Sequence, residues 1–423
     1  MISKLVFAIV SYGLSVFILP LLLFLWLRRW VLLKQHDKWI ESIDWIILEL
    51  KLPVDNIRTP KAMEQVFASL YGMFSFGISF KDRWMKGKLE SWASFELVGF
   101  SSSMHFFIRV PKQFQKLLES SIYSHYPNAE LQITEDYVHR FGQEIPNTEY
   151  DIFGTDFVLL KDGVYPLKTY RDFEAIEEEK RLDPLATVAE IMADLKDDEM
   201  IWLQFLIRPT GTKWKEKAND IIQDISGRPK PPKKKSNMEG AREFAKNLAT
   251  AAVKHPEWSE SETKQVGSPP RPLMPGEQDL LFKIDSKIGQ IGFESILRFM
   301  YLDKKNSFTE PNVLAMMGVM RQFNGVNEFL PNKKTLTTPK ATGLFFRKSR
   351  ILGRKKKLFD AYCKRAMPVE PRRFGLLRLK TSILSVEELA TLYHPPISSV
   401  TARTLQYVGS KKGGPPSDIP IVK

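Results

Sequence analysis

From Leu5 to Leu27 the chain carries no charged residue across 23 positions, with Lys4 before the stretch and Arg28-Arg29 after it. A helix needs roughly 20 apolar residues to cross a bilayer core. The stretch is therefore read as a single membrane-spanning helix, and the rest of the chain as a water-facing body held at the membrane. A secretory signal has an apolar region of about 7–15 residues ending at a small-residue cleavage site. Here the run continues into Trp26, Arg28, Arg29 and Trp30 with no such site. A core helix would show a polar face, whereas Ser11, Gly13 and Ser15 are isolated small residues. Pro20 lies mid-span, where the loss of one backbone hydrogen bond kinks a helix. Trp26 and Trp30 suit the interfacial aromatic belt.

Orientation follows from the flanking cations. Arg28, Arg29, Lys34 and Lys38 outweigh Lys4 and the amino terminus, so the positive-inside bias places the N-terminus outside and the body in the cytoplasm, at the inner membrane. The single cysteine, Cys363, excludes an internal disulfide framework and fits a reducing compartment.

The remaining chain is long enough for two or three domains, and 43% apolar with 12% aromatic residues can fill real cores. The net charge of +13 is unevenly spread. Thirteen Lys or Arg face only Asp360 and Glu370 between Phe345 and Lys380, while eleven Asp or Glu face Lys180, Arg181 and Lys196 between Asp172 and Glu199. The chain is dipolar.

Residues 1–38 are read as the anchor with a juxtamembrane helix, and residues 39–148 as the first domain. Ile46, Leu48, Leu50 and Leu52 alternate with Ile47, Glu49 and Lys51, the period of a half-buried strand. Thr59-Pro60 opens a helix with Met63, Val66, Phe67 and Leu70 on one face, closed by Gly72. A loop with Lys81, Arg83, Lys86 and Lys88 leads to strands around Phe95-Leu97 and Phe106-Val110. Pro111 starts a second helix, and Leu131 and Ile133 sit in a fourth strand. The order is βαββαβ, the ferredoxin-like pattern, so the fold class expected is α+β. That pattern hosts many functions and names none.

A second α+β domain, residues 149–382, is expected to repeat it. Its strands are placed at 157–160, 201–207 and 291–302, its helices at 188–195 and 311–323, and its final strand near 376–381. Residues 209–288 form an insertion, partly disordered where GRPKPPKKK at 227–235 forbids a packed core. Met316, Met317 and Met320 read as adaptable core filling. Residues 383–423 form a C-terminal helix and a Pro/Gly/Lys-rich tail.

One segment stands out for binding. Arg347, Lys348, Arg350, Arg354, Lys355, Lys356, Lys357, Lys364 and Arg365 surround Phe345, Phe346, Ile351, Leu352, Leu358, Phe359 and Tyr362, as in an amphipathic helix with a cationic face. Three uses remain open: a solvated face pairing with the acidic run at Glu177–Glu179, contact with nucleic-acid phosphates through counterion release, or contact with anionic lipid headgroups.

No catalytic, cofactor-binding or metal-ligating residue is assigned. The six histidines, His36, His105, His125, His139, His255 and His394, show no HxH or HExxH spacing. Cys363 lies in a lysine-rich helix that would lower its pKa, without a histidine near it in sequence. No GxxxxGK[ST] occurs.

The segment Leu384 to Pro396, LSVEELATLYHPP, with Ser385 and Glu388 spaced as a capping box, and the run Gly409 to Pro420, GSKKGGPPSDIP, resemble the region just ahead of the motor in membrane-anchored DNA-transfer ATPases, the type IV secretion coupling and HerA-like proteins. The phrases Thr59–Phe67 and Phe106–Pro111 are similar to the same group's N-terminal region. The resemblance covers most of the chain but only its non-motor part, because the family continues into a nucleotide-binding domain and this sequence stops at Lys423. It implies a non-catalytic, single-pass membrane protein, a scaffold or accessory part of a conjugation-like system. The partners implied are the membrane, a separate P-loop motor ATPase, DNA or anionic lipid at the basic segment, and further copies of the chain. The other reading is an envelope scaffold that binds another protein without any motor.

Overall fold

A computed structural model describes residues 2–52, 58–75, 77–100, 102–141, 145–173, 183–226, 273–308, 310–338, 346–369 and 379–396, with side chains from Ile18 onward except Glu310. The chain divides into two compact units, residues 1–211 with 290–423, and residues 212–289.

In the first unit, β1 (Trp45–Lys51), α2 (Pro60–Leu70), β2 (Ala93–Phe100), β3 (Ser103–Pro111), α4 (Gln115–His125) and β4 (Glu130–Ile133) follow one another, with α1 (Ile2–Glu41) before them and a short α3 (Phe80–Met85) ahead of β2. Pro60 pre-sets the first turn of α2, and Met63, Val66, Phe67 and Leu70 recur at helical spacing and are fully buried. A second set comes next: β5 (Tyr150–Leu159), α5 (Ala186–Ala193), β6 (Met200–Pro209), β7 (Gly292–Lys304), α8 (Glu310–Val319) and β8 (Phe329–Pro331). The other unit supplies α6 (Lys213–Ser226) and α7 (Pro275–Gly289), which pack together.

Both sets have β-α-β-β-α-β connectivity and the same spatial order. The sheet runs β4-β1-β3-β2-β6-β7-β5-β8, so each half places its fourth, first, third and second strands in that sequence from its own outer edge. The halves meet through the antiparallel pair β2–β6, from Ala93 opposite Ile207 to Gly99 opposite Ile201. Each half thus covers the other's open edge, which removes two exposed rows of backbone donors and acceptors. The boundary drawn between 148 and 149 falls inside one body with one continuous sheet.

The fourth strand of the second half is Phe329–Pro331, not the stretch near 376–381, of which residues 376–378 lie outside the described residues. A ninth strand, β9 (Ser382–Ser385), pairs with the start of β7 beyond the end of β5. It leads into α10 (Val386–Leu392), whose capping box is made in both directions between Ser385 and Glu388. Tyr393 then enters the first face of the sheet, its ring within 5.0–6.5 Å of Phe67, Phe95, Phe106 and Phe205. Met316 and Met320 are buried in the same core.

The N-terminal helix is exposed and apolar where it is described. Large apolar side chains from Ile18 to Val31 stand in the open, Leu19 at 69% and Phe24 at 60% exposure. Leu32 and His36 are buried. Among the described residues no helix is long and apolar enough to cross a membrane; the span expected at Leu5–Leu27 has described side chains only from Ile18 onward.

Candidate functional site

The basic segment forms α9 (Arg347–Cys363), and its two ends differ in character. Buried apolar residues, Leu358, Phe359, Ala361 and Tyr362, occur only in its last turns, which pack on the second face of the sheet. The first half has no buried apolar residue: Ile351, Gly353, Arg354 and Lys355 are half-buried and the others exposed. Arg347, Lys348, Arg350, Lys356 and Lys357 are exposed there, beside Phe346 at 83% and Leu352 at 47% exposure. The neighbouring loop adds exposed Lys333 and Lys334, tied to the helix by Arg354, which donates to the carbonyls of Lys333 at 3.1 Å and Leu336 at 3.0 Å. Lys355 is paired with Asp151 at 2.6 Å and Lys364 with Asp360 at 2.7 Å. The acidic run at Glu177–Glu179 lies outside the described residues.

Arg365 does not belong to this face. It is 1% exposed and sits just past the helix end with φ of 46°, a left-handed conformation in which a helix terminus normally places glycine. The Ala366 amide donates back to Ala361 at 3.0 Å, closing the turn. The side chain explains the departure from glycine. Its guanidinium donates from Nε to Glu96 Oε1 and from Nη2 to Glu96 Oε2, each at 3.0 Å, and it also binds Asp136. A fork-on-fork pair of this kind adds geometric specificity to charge.

Glu96 is the first member of a polar row. Glu96 lies opposite Gln204, Gln204 opposite Arg298, and Arg298 opposite Asp156, so one register line crosses β2, β6, β7 and β5. All four side chains have 0% exposure. Gln204 donates to Glu96 at 2.9 Å; Arg298 donates to Gln204 Oε1 at 2.9 Å and to Asp156 at 2.8 Å. The row also caps α9. The carbonyl of Ala361 accepts from Arg298 at 2.8 Å, that of Tyr362 from Gln204 at 3.1 Å, and that of Cys363 from Arg365 at 3.0 Å. Helix C-termini leave such carbonyls unmet and carry partial negative charge. Here buried donors meet them, Arg298 and Gln204 from the sheet and Arg365 from just past the helix.

The electrostatics follow from this geometry. Burial alone would raise the Glu96 carboxyl, but the Arg365 guanidinium, with hydrogen bonds from Ser94 and Tyr137, holds it below the usual carboxylate range. Burial pushes Tyr137 and Tyr362 well up; their hydroxyls lie 2.5 Å apart beside that carboxylate. Burial also pushes the Cys363 thiol up to about 12. That corrects the expectation of a lysine-activated thiol: desolvation outweighs the lowering effect of the neighbouring Arg365 charge. Nearer the edge, a hydrogen bond from His105 at 2.8 Å holds Glu49 below its ordinary value. Among the described residues no group of three His, Cys, Asp or Glu side chains could hold a metal ion.

The row was not legible as a site, because Glu96 between Phe95 and Leu97 reads as the solvent side of a half-buried strand. The signal against that reading lies in β6, where Trp202 and Leu206 flank Gln204 while Leu203 and Phe205 fill the other face. Strands apolar on both faces are covered on both. No protein-family model matches the chain, and no curated protein matches it in sequence.

Proposed function

We propose that the chain is a single-pass membrane scaffold, itself non-catalytic, that carries a cytoplasmic body built from two fused ferredoxin-like units. The observation that carries this is α1, whose exposed apolar surface from Ile18 to Val31 continues as one helix into the buried Leu32 and His36. Burying a Leu or Phe is worth about 1.5–3 kcal/mol. Leaving the eleven exposed large apolar side chains of this run about half in water forgoes on the order of 10 kcal/mol, comparable to the whole net stability of a domain. A bilayer is the cover that suits a helix apolar on all sides. Trp26 and Trp30 flank the cations Arg28 and Arg29, as in an interfacial belt.

The system it serves is a DNA-transfer assembly with a separate motor ATPase. Support comes from the resemblance in Thr59–Phe67, Phe106–Pro111 and Leu384–Pro396 and from the exposed cations at the start of α9. Purification of the full-length chain from its host in mild detergent, with partners identified by mass spectrometry, tests this. A stoichiometric P-loop ATPase is the expected result. Recovery of the chain alone, or with envelope proteins lacking a motor, overturns the transfer role and leaves the membrane scaffold.

A further inference from the structure

The loop that leads into β2 holds a second apolar and basic feature. Around α3, Phe80 and Met85 are 74% and 66% exposed, and Trp84 is half-buried. Between them and just after them stand the exposed cations Lys81, Arg83, Lys86 and Lys88. The carboxylate in this stretch, Asp82, is bound by Lys86 at 2.9 Å and Ser79 at 2.9 Å. Exposed aromatic and apolar side chains interleaved with cations form the composition of a surface that lies on anionic lipid.

Its position is fixed by α1. The Arg28 guanidinium lies 4.1 Å from the Trp84 ring centroid, and His36 Nδ1 donates to the Gly87 carbonyl at 2.7 Å. Gly87 has φ of +65°, and a Cβ there would meet the Gln35 carbonyl carbon at 2.3 Å. The contact therefore requires glycine for two reasons, its left-handed backbone and the lack of room. Residues 28 to 36 rise about 12 Å along a helix, so α3 is clamped to the turns directly following the apolar run. A membrane that receives Ile18–Leu27 would place its headgroups at this level.

We propose that residues 79–88 form a foot that lies on the anionic headgroup layer, Phe80 and Met85 entering it and Lys81, Arg83, Lys86 and Lys88 meeting its phosphates. The inference rests on the membrane reading of α1 and goes beyond it. It assigns a second lipid contact, which sets the tilt of the body relative to the bilayer.

The test uses the full-length chain with Cys363→Ser, carrying an environment-sensitive fluorophore on a cysteine at position 80 or, separately, at position 22. The protein is reconstituted in phosphatidylcholine vesicles with and without phosphatidylglycerol, and lipids brominated near the headgroup act as quenchers. The label at 80 is expected to be quenched, more strongly with phosphatidylglycerol, and quenching should fall about two-fold or more in Gly87→Ala and in Lys81→Glu with Arg83→Glu. The second variant changes only exposed side chains, so it keeps the test open if Gly87→Ala fails to fold. Quenching at 22 but not at 80 overturns the foot and leaves the anchor standing. Quenching at neither position overturns the anchor and the foot together. Equal quenching at 80 without phosphatidylglycerol overturns the role of the cations.

Discussion

The two ends of α9 put the same kind of residue in opposite surroundings. Along its first two thirds Arg347, Lys348, Arg350, Lys356 and Lys357 are exposed, while just past its end Arg365 is enclosed by Glu96, Asp136 and Tyr137. Charge alone does not distinguish them. The difference lies in the neighbours at helical spacing: apolar residues at Leu358, Phe359 and Tyr362 draw the last turns onto the sheet, and the sheet offers carboxylates there. A basic run read as one amphipathic face is thus two devices, a structural lock and an exposed surface.

The lock gives the largest expected effect. Arg365→Met leaves Glu96 buried without its main counter-charge and should cost about 3–5 kcal/mol in urea unfolding. Arg365→Gly, which relieves the left-handed backbone but removes the same guanidinium, should recover only ~1 kcal/mol of that loss. A variant within about 1 kcal/mol of the parent would show that the buried pair does not hold α9 down.

Acid should sharpen the contrast. The folded Glu96 carboxyl lies below its unfolded value of about 4.3, so its contribution is present above that pH and is lost as pH falls through the lower folded value. Glu96→Gln is expected to lower stability at neutral pH and to flatten the acid limb relative to the parent. Parallel acid limbs for the two proteins, measured as unfolding midpoint against pH, would remove Glu96 from the account.

Smaller effects are expected toward the start of the helix. Lys355→Ala removes a half-buried pair with Asp151 and should cost at most about 1 kcal/mol. Changing Lys348 and Arg350 together to Glu should leave stability within about 0.5 kcal/mol per site, the usual range for exposed positions. The same change should abolish any salt-sensitive binding of duplex DNA measured by titration at increasing ionic strength. Binding that persists with an unchanged salt slope would assign the α9 cations no role in it.

Much of the architecture was written in local pattern. Pro60 marks a helix entry, Ile46–Leu52 and Phe106–Val110 alternate, and Ser385 with Glu388 caps its helix, each a signal contained within one turn or strand; Pro111 instead ends β3, four residues ahead of α4. Local pattern does not carry the pairing between distant segments. The β2–β6 seam joins residues about 110 positions apart, and neither strand's own sequence names the other as its partner. The terminal strand was misplaced because Phe329–Pro331 is only three residues long. Likewise Glu96, Gln204, Arg298 and Asp156 lie on four strands, and only register brings them into line.

The longest ladder in the sheet, β6 against β7, runs from Met200 opposite Leu302 to Pro209 opposite Phe293, and residues 212–289 depart from the end where those strands would otherwise turn. In terms of chain entropy the two strands of the central hairpin are separated by residues 210–291 rather than by a tight turn. Relative to a tight turn, such closure costs about 2–3 kcal/mol from the logarithm of loop length. That separation makes the middle of this sheet a non-local contact. The β1–β3–β2 side, whose β2–β3 hairpin turns within a few residues, is free to form first and present β2 as the template on which β6 is laid down.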